Sequence, residues 1–443
     1  MKRYQLFLLL ACTVLACKKD ANDDQKQTEN KVSTFKNTSI RLTIANLSAN
    51  EIEAALNGSI SGTSLYSKNG VEHLIISPTL FFNEPLIPAI HLIKKNGEWV
   101  YENYYSAGAM GAGRDSEYFD DAGTIVFADH GLELRQGTWP FGNLMMAKTN
   151  GEQLSWSNIS TDRSFYHSIS TGDLNNDGLK DVIGLHMGTK SNWFDNLHPY
   201  LQKSNGSFEA DRNLISYTNW PGLRGAGAVL VSNIMDDARP EIIMADYGPD
   251  PRFPRIRYSF AIFSFSSQTG KYEFVKTPGV LGFATRELGV TSIKAVDFDK
   301  DGDLDIALAY ESSQINGLEI WTNNGNGNYT FSNDRLEYNF SELQFREFEI
   351  ADVDKDGWQD IVLNAWQGAL FKGNFATGEV FLHNLIWKNN KGKFEKLSAP
   401  KAIYLGETPS YIKAFLINNK LRLIGIRGSA DGRLIITDID PVF

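Results

Sequence analysis

Cysteine is almost missing from this chain. The 443 residues hold two, Cys12 and Cys17, both near the start. A fold built from later residues therefore has no disulfide and no thiolate-bound metal, and must be held by packing and bound ions. Long apolar runs are missing as well, and the stretch 6–16 is too short to span a bilayer. No long segment carries a helical period. Basic charge is outnumbered, 43 Lys and Arg against 53 Asp and Glu, and the net charge of −10 argues against nucleic acid as a partner. There is no Gly-x-Ser-x-Gly elbow, no His-Glu-x-x-His and no phosphate-binding glycine loop. The glycine-rich stretches 108–113 and 225–227 open no helix and read as places where the backbone turns. The seven histidines are scattered, with no metal-ligand spacing along any one strand.

What the chain does have is aspartate at fixed intervals. In 297–310, DFDKDGDLDIALAY, carboxylates occupy positions one, three, five and nine (Asp297, Asp299, Asp301, Asp305), with Asp303 at seven and Gly302 at six. Alternate side chains of a tight loop converge on one point, and glycine at six permits the sharp turn a hard cation needs. Without a cation, two carboxylates about 4 Å apart would repel by about 4 kcal/mol at an effective dielectric near 20. Position twelve is Leu308, so this is not an EF-hand. The pattern recurs as Asp352, Asp354, Asp356, Trp358 and Asp360, and as Asp173, Asn175, Asp177, Leu179 and Asp181. These fifteen positions are the expected ligands of about three Ca²⁺ ions. A worn copy, 233–241, has Met235 at position three and Ala238 where the glycine should be. An Asp/Gly turn capping its own backbone would explain one copy but not three.

A turn followed by an aromatic or apolar strand recurs too, with glycines at 97, 151, 206, 270, 327 and 392. Asn-Gly between β-type runs is a strong hairpin signal. Each interval has room for four strands. One enters the Asp loop (292–296), one leaves it (306–310), a third reaches the hairpin (318–322) and a fourth ends the unit (329–332). The runs 73–77 and 124–128 keep the strands where the loops are worn. A seventh unit, 412–417, 421–426 and 433–438, lacks a fourth strand, which the orphan run 39–45 could supply. Residues 51–56 are a candidate short helix. Even spacing of such units predicts an all-β, seven-bladed β-propeller of four-stranded blades with Ca²⁺-binding Asp loops, closed so that its edges vanish.

The segments 173–185, 297–309 and 352–365 resemble FG-GAP/VCBS repeats, the type found in integrin α-subunit propellers, and the period extends the likeness over 58–443. The resemblance implies Ca²⁺ in the loops on one face and ligands on the other. The N-terminus, a basic Met1-Lys2-Arg3, an apolar core and Val14-Leu15-Ala16 before Cys17, resembles a bacterial lipoprotein signal. That implies a signal peptide over 1–16, lipid on Cys17, a polar tether over 17–36 and one propeller over 37–443. The expected place is the cell envelope, at the outer membrane, touched only through the lipid.

On the face opposite the loops, the strand directions gather Arg114, His167, Arg224, Arg286 and Arg346 before the inner strands. After the second strands they gather His130, His186, Tyr247, Tyr310 and Trp366. Planar Arg suits carboxylate or sulfate, and aromatic faces suit sugar rings. The plainer account is that the arginines pair with local carboxylates and the rings pack between blades. With no complete catalytic set, the expectation is a monomeric, non-enzymatic binding propeller for an anionic glycan. Two other classes are a uronate lyase on the same scaffold and an assembly subunit gripping an envelope protein.

Overall fold

The computed structural model describes residues 33–42, 44, 47–57, 62–77, 89–104, 113–120, 123–131, 142–186, 196–220, 226–246, 259–276, 289–311, 315–332, 336–339, 343–366, 379–380, 382–397, 403–404 and 409–441. Most strand pairing among them is antiparallel and follows chain order; in addition Ile215–Ser216 lies parallel beside Lys271–Lys276, and Leu336–Asn339 lies beside Ile315–Asn323. Tyr166–Gly172, Asp181–His186, Leu197–Gln202 and Phe208–Ala210 form one sheet, and Gly289–Val296, Asp305–Glu311, Ile315–Asn323 and Tyr329–Phe331 form another. Groups of the same kind run over 64–104, 113–158, 226–276 and 345–396. The last group consists of Tyr411–Ile417, Lys420–Gly428, Arg433–Asp440 and, from the far end of the chain, Thr34–Arg41. These four-stranded sheets are the blades of a β-propeller.

Blades form here because the second strands are apolar on both faces. Thr124–Asp129 and Asp181–His186 are buried at every position, each wedged between its own sheet and the next. Ile183, Leu185 and Leu197 of one blade meet Val229, Met244 and Phe263 of the next in a single cluster. Burying an aliphatic or aromatic side chain of this size contributes about 1.5–3 kcal/mol.

The closing strand begins earlier than the run 39–45 suggests. Thr34–Arg41 pairs with Arg433–Asp440 from Thr34 opposite Asp440 to Arg41 opposite Arg433. It is an outer strand, so its side chains are mostly exposed and polar, and only Ile40 is buried. The alternating Ile40, Leu42 and Ile44 look like the strand but overrun it: Leu42 and Ile44 plug the core beside the helix Ala49–Leu56. That helix starts on a capping box, with Ser48 N–H donating to Glu51 at 2.7 Å and Glu51 N–H to Ser48 Oγ at 3.3 Å.

Candidate cation loops and the central cavity

The three Asp loops share one backbone. Position four is left-handed in each (Asn176, Lys300, Lys355, φ 61°, 63°, 63°), and so is the position-six glycine (Gly178, Gly302, Gly357, φ 81°, 99°, 87°). The glycine N–H donates to the position-one carboxylate at 2.8 Å (Asp173), 3.1 Å (Asp297) and 2.9 Å (Asp352). The N–H of position seven donates to position five: Leu179 to Asp177, Asp303 to Asp301 and Trp358 to Asp356.

Position nine ties the loop to the blade. Asp181, Asp305 and Asp360 are buried, and each takes two N–H groups, one from loop position two and one from the third strand. Burial pushes each of these carboxyls up to about 6 against the pull of those N–H donors.

Two loops fit a hard cation and one does not gather its carboxylates. Asp297, Asp299 and Asp305 each bring a carboxylate oxygen within 4.8 Å of the others, as do Asp352, Asp354 and Asp356. Asp297 Oδ1 and Asp352 Oδ1 are buried with no hydrogen-bond donor, an expensive state for a carboxylate oxygen unless a cation meets it. In the first loop the same oxygen is occupied: Asp177 N–H donates to Asp173 Oδ1 at 3.1 Å, and Asn175 Nδ2 donates to Asp177 at 2.9 Å. Asn175 at position three thus supplies a donor where the other loops carry charge. The worn loop is closed the same way, with Asp237 N–H to Asn233 Oδ1 at 3.1 Å and Glu241 taking the N–H groups of Ile234 and Met235.

A feature the sequence did not signal braces neighbouring blades. The position-two carbonyls of the loops at Asp173, Asn233 and Asp297 each accept a side chain from the following blade. Tyr272 Oη reaches Leu174 O at 3.1 Å, Asn323 Nδ2 reaches Ile234 O at 3.1 Å and Asn389 Nδ2 reaches Phe298 O at 2.8 Å. The donors sit near the hairpins, at no fixed spacing from the loops they hold, so only the fold reveals them.

Inner strands of five successive blades line a cavity of about 390 Å³. Arg114, His167 and Arg346, all expected on the ligand face, stand on its wall. Arg114 Nη1 lies 3.3 Å from Nε2 of both His130 and His167, and the two imidazoles are 2.9 Å apart. Burial and then the Arg114 charge push both histidines well below the ordinary range, so they are neutral at pH 7. Arg346 donates to Glu311 at 2.7 Å, as the plainer account predicts.

Other expected residues are not on the wall. Tyr310 is fully buried and donates to Glu337 at 3.0 Å, so its ring is no stacking surface. His186 packs against His198, ring centroids 4.0 Å apart, inside the blade. Arg224, Tyr247, Arg286 and the side chain of Trp366 lie outside the described residues, as does Cys17.

The wall carries acids that the strand-end reasoning missed. Asp115 accepts from Ser168 Oγ at 2.7 Å, Glu117 from Thr171 Oγ1 at 2.6 Å, Glu347 pairs with Lys413 at 2.7 Å, and Lys294 pairs with Glu349. Burial pushes the Glu117 carboxyl up to about 7. Alternate charged residues in 113–120 and 345–351 were the available signal, since alternate positions of an inner strand face the axis. The cavity is therefore of mixed charge, not simply basic.

A family model described as an FG-GAP-like repeat matches residues 297–363, which span the second and third loops. No curated protein matches the chain. Among solved structures, the Dos1 propeller is 12% identical with a TM-score of 0.46, over 86% of this chain and 93% of that one. The periplasmic gluconolactonase PpgL of Pseudomonas aeruginosa is 11% identical with a TM-score of 0.47, over 84% and 97%. These likenesses are too distant to add to what strand pairing already establishes. By its four-stranded blades the chain is a β-propeller, and residues 297–363 of it match an FG-GAP-like repeat.

Proposed function

We propose that this propeller is a Ca²⁺-stabilised, non-enzymatic binding protein held at the bacterial envelope by lipid on Cys17. Its ligand enters the axial cavity from the side opposite the Asp loops. The supporting observation is Arg114 and His167 together on the wall of the cavity that the inner strands line, with His130 buried against both. A guanidinium and two neutral imidazoles suit the carboxylate and hydroxyls of an acidic sugar, while Asp115 and Glu117 would accept further hydroxyls. The mixed charge favours a mostly neutral glycan with isolated acidic groups over a polyanion. Ca²⁺ would sit in the Asp297 and Asp352 loops, holding blades in register away from the ligand.

The test is a glycan array with residues 31–443, followed by titration of a hit against Arg114→Ala. A lost charge-assisted contact contributes about 1.5–3 kcal/mol, so affinity should fall about ten- to a hundredfold. Unchanged affinity would move the site to the outer blade edges. The neutral imidazoles beside Arg114 favour one second reading, a uronate-directed lyase in which histidine takes the α-proton while Arg114 neutralises the carboxylate. Unsaturated product absorbing in the ultraviolet would establish it.

A further inference from the structure

The loops at Asp297 and Asp352 share spacing, backbone and hydrogen bonding, yet differ in the positive charge that faces them. The register of the third strands makes the comparison exact to the residue. Asn389 N–H donates to Asp360 Oδ1 at 2.8 Å, and Asn323 N–H donates to Asp305 Oδ1 at 2.9 Å. Both asparagines also brace the loop of the preceding blade through Nδ2. They are therefore equivalent, and so are the residues just before them, Lys388 and Thr322.

Lys388 turns its ammonium onto the Asp352 loop, where it pairs with Asp354 and lies 3.2 Å from Asp356 Oδ2. Lys300 adds a second positive charge, 4.3 Å from the centre of the Trp358 ring. Among the described residues no lysine or arginine pairs with Asp297, Asp299 or Asp301. One loop thus carries its own counter-ion and the other does not. An ammonium and a divalent ion compete for the same carboxylate oxygens, because each relieves the same repulsion.

Resting on the reading of these loops as Ca²⁺ sites, we propose that Lys388 is a built-in competitor for the Asp352 loop, neutralising it when cation is scarce and giving way as Ca²⁺ rises. The Asp297 loop then fills first and keeps the blades in register at low Ca²⁺. The Asp352 loop fills later, over a range set by the need to displace Lys388, and holds its form in the meantime. The chain would carry one structural site and one that responds to cation concentration.

The experiment is a calorimetric Ca²⁺ titration of the purified chain, alongside Tb³⁺ luminescence excited through tryptophan. Trp358 is at position seven of the Asp352 loop, and Trp358→Phe identifies the emission that belongs to it. The unmodified chain should show two classes of site. Lys388→Thr should tighten the weaker class at least tenfold without moving the stronger, and Thr322→Lys should weaken the stronger class by a similar factor. Unchanged affinities in both variants, or a weaker Asp352 site in Lys388→Thr, would overturn the role of Lys388 while leaving the loops as cation sites. If no form of the chain binds Ca²⁺ or Tb³⁺ saturably, the cation reading of the loops falls, and this inference with it.

Discussion

Arg422 donates through Nη1 to Glu72 at 2.8 Å, across 350 positions of sequence and across the junction where the last blade meets the first. The same guanidinium holds Asp438 through Nε at 3.0 Å and Nη2 at 2.6 Å, and Lys94 joins both acids. All four side chains are largely shielded from water. Burial alone would raise the Asp438 carboxyl, but Arg422 and Lys94 outweigh it and hold it below the usual range.

Arg422→Met should therefore destabilise the ring by about 3–5 kcal/mol, since it leaves Asp438 partly buried and short of its main partner. Urea unfolding measures this. A double-mutant cycle with Glu72→Gln should give a coupling of about 0.5–3 kcal/mol. A midpoint unmoved by Arg422→Met would show that packing alone closes the ring.

Acid should loosen the first blade. His73 and His91 are buried, 3.1 Å apart, and burial lowers them to about 4 and about 3. Unfolded, each would titrate near 6.5, so between there and the folded values the unfolded chain binds more protons. Their contribution is complete above pH 6.5 and lost as pH falls towards 4 and then 3. Each adds up to about 1.4 kcal/mol per pH unit of slope in that window. The variant His73→Gln/His91→Gln should show a shallower loss of stability below pH 6; an identical slope would remove these residues from the acid response.

The position-nine carboxylates should matter with or without metal. Asp181→Ala strands the buried N–H of Leu174, at a cost of about 1–3 kcal/mol, and the part-buried N–H of Gln202, at less. Its melting temperature should fall equally in chelator and in Ca²⁺. Asp301→Ala should lower it only when Ca²⁺ is present. If chelator erases the Asp181→Ala defect, the clamp is a metal effect.

Cys17→Ser should release the protein from the membrane fraction, because a stable hold takes more than one acyl chain on that residue. Normal processing with unchanged fractionation would remove the lipid from the proposal.

The loops were legible in the sequence because their shared turn fixes aspartate and glycine at set places within a short stretch, and the glycines at 178, 302 and 357 mark a turn that needs positive φ. The blades were legible through hairpins at even intervals. What escaped depends on register between distant segments. Nothing local says that Asn389 braces Phe298, that Lys388 faces Asp354, or that Arg346 finds Glu311. The closing strand was misplaced because an outer strand needs no apolar alternation, whereas the core-plugging residues just after it have some. The acids on the cavity wall escaped because they stand within the inner strands, not at the strand ends where the arginines and aromatics cluster.

Thr34 faces Asp440, so the first and the last strands of the propeller lie side by side in one ladder. Bringing such remote ends together while the chain between them is unfolded costs on the order of 5 kcal/mol of chain entropy, a cost that falls once the intervening blades are in place. A circular permutant makes the point testable by construction. Joining residue 441 to residue 33 through a short linker and opening the chain at the Asn418–Asn419 turn would preserve every pairing. It would turn the pairing most remote in sequence into a local hairpin and hand the ring closure to another pair of strands.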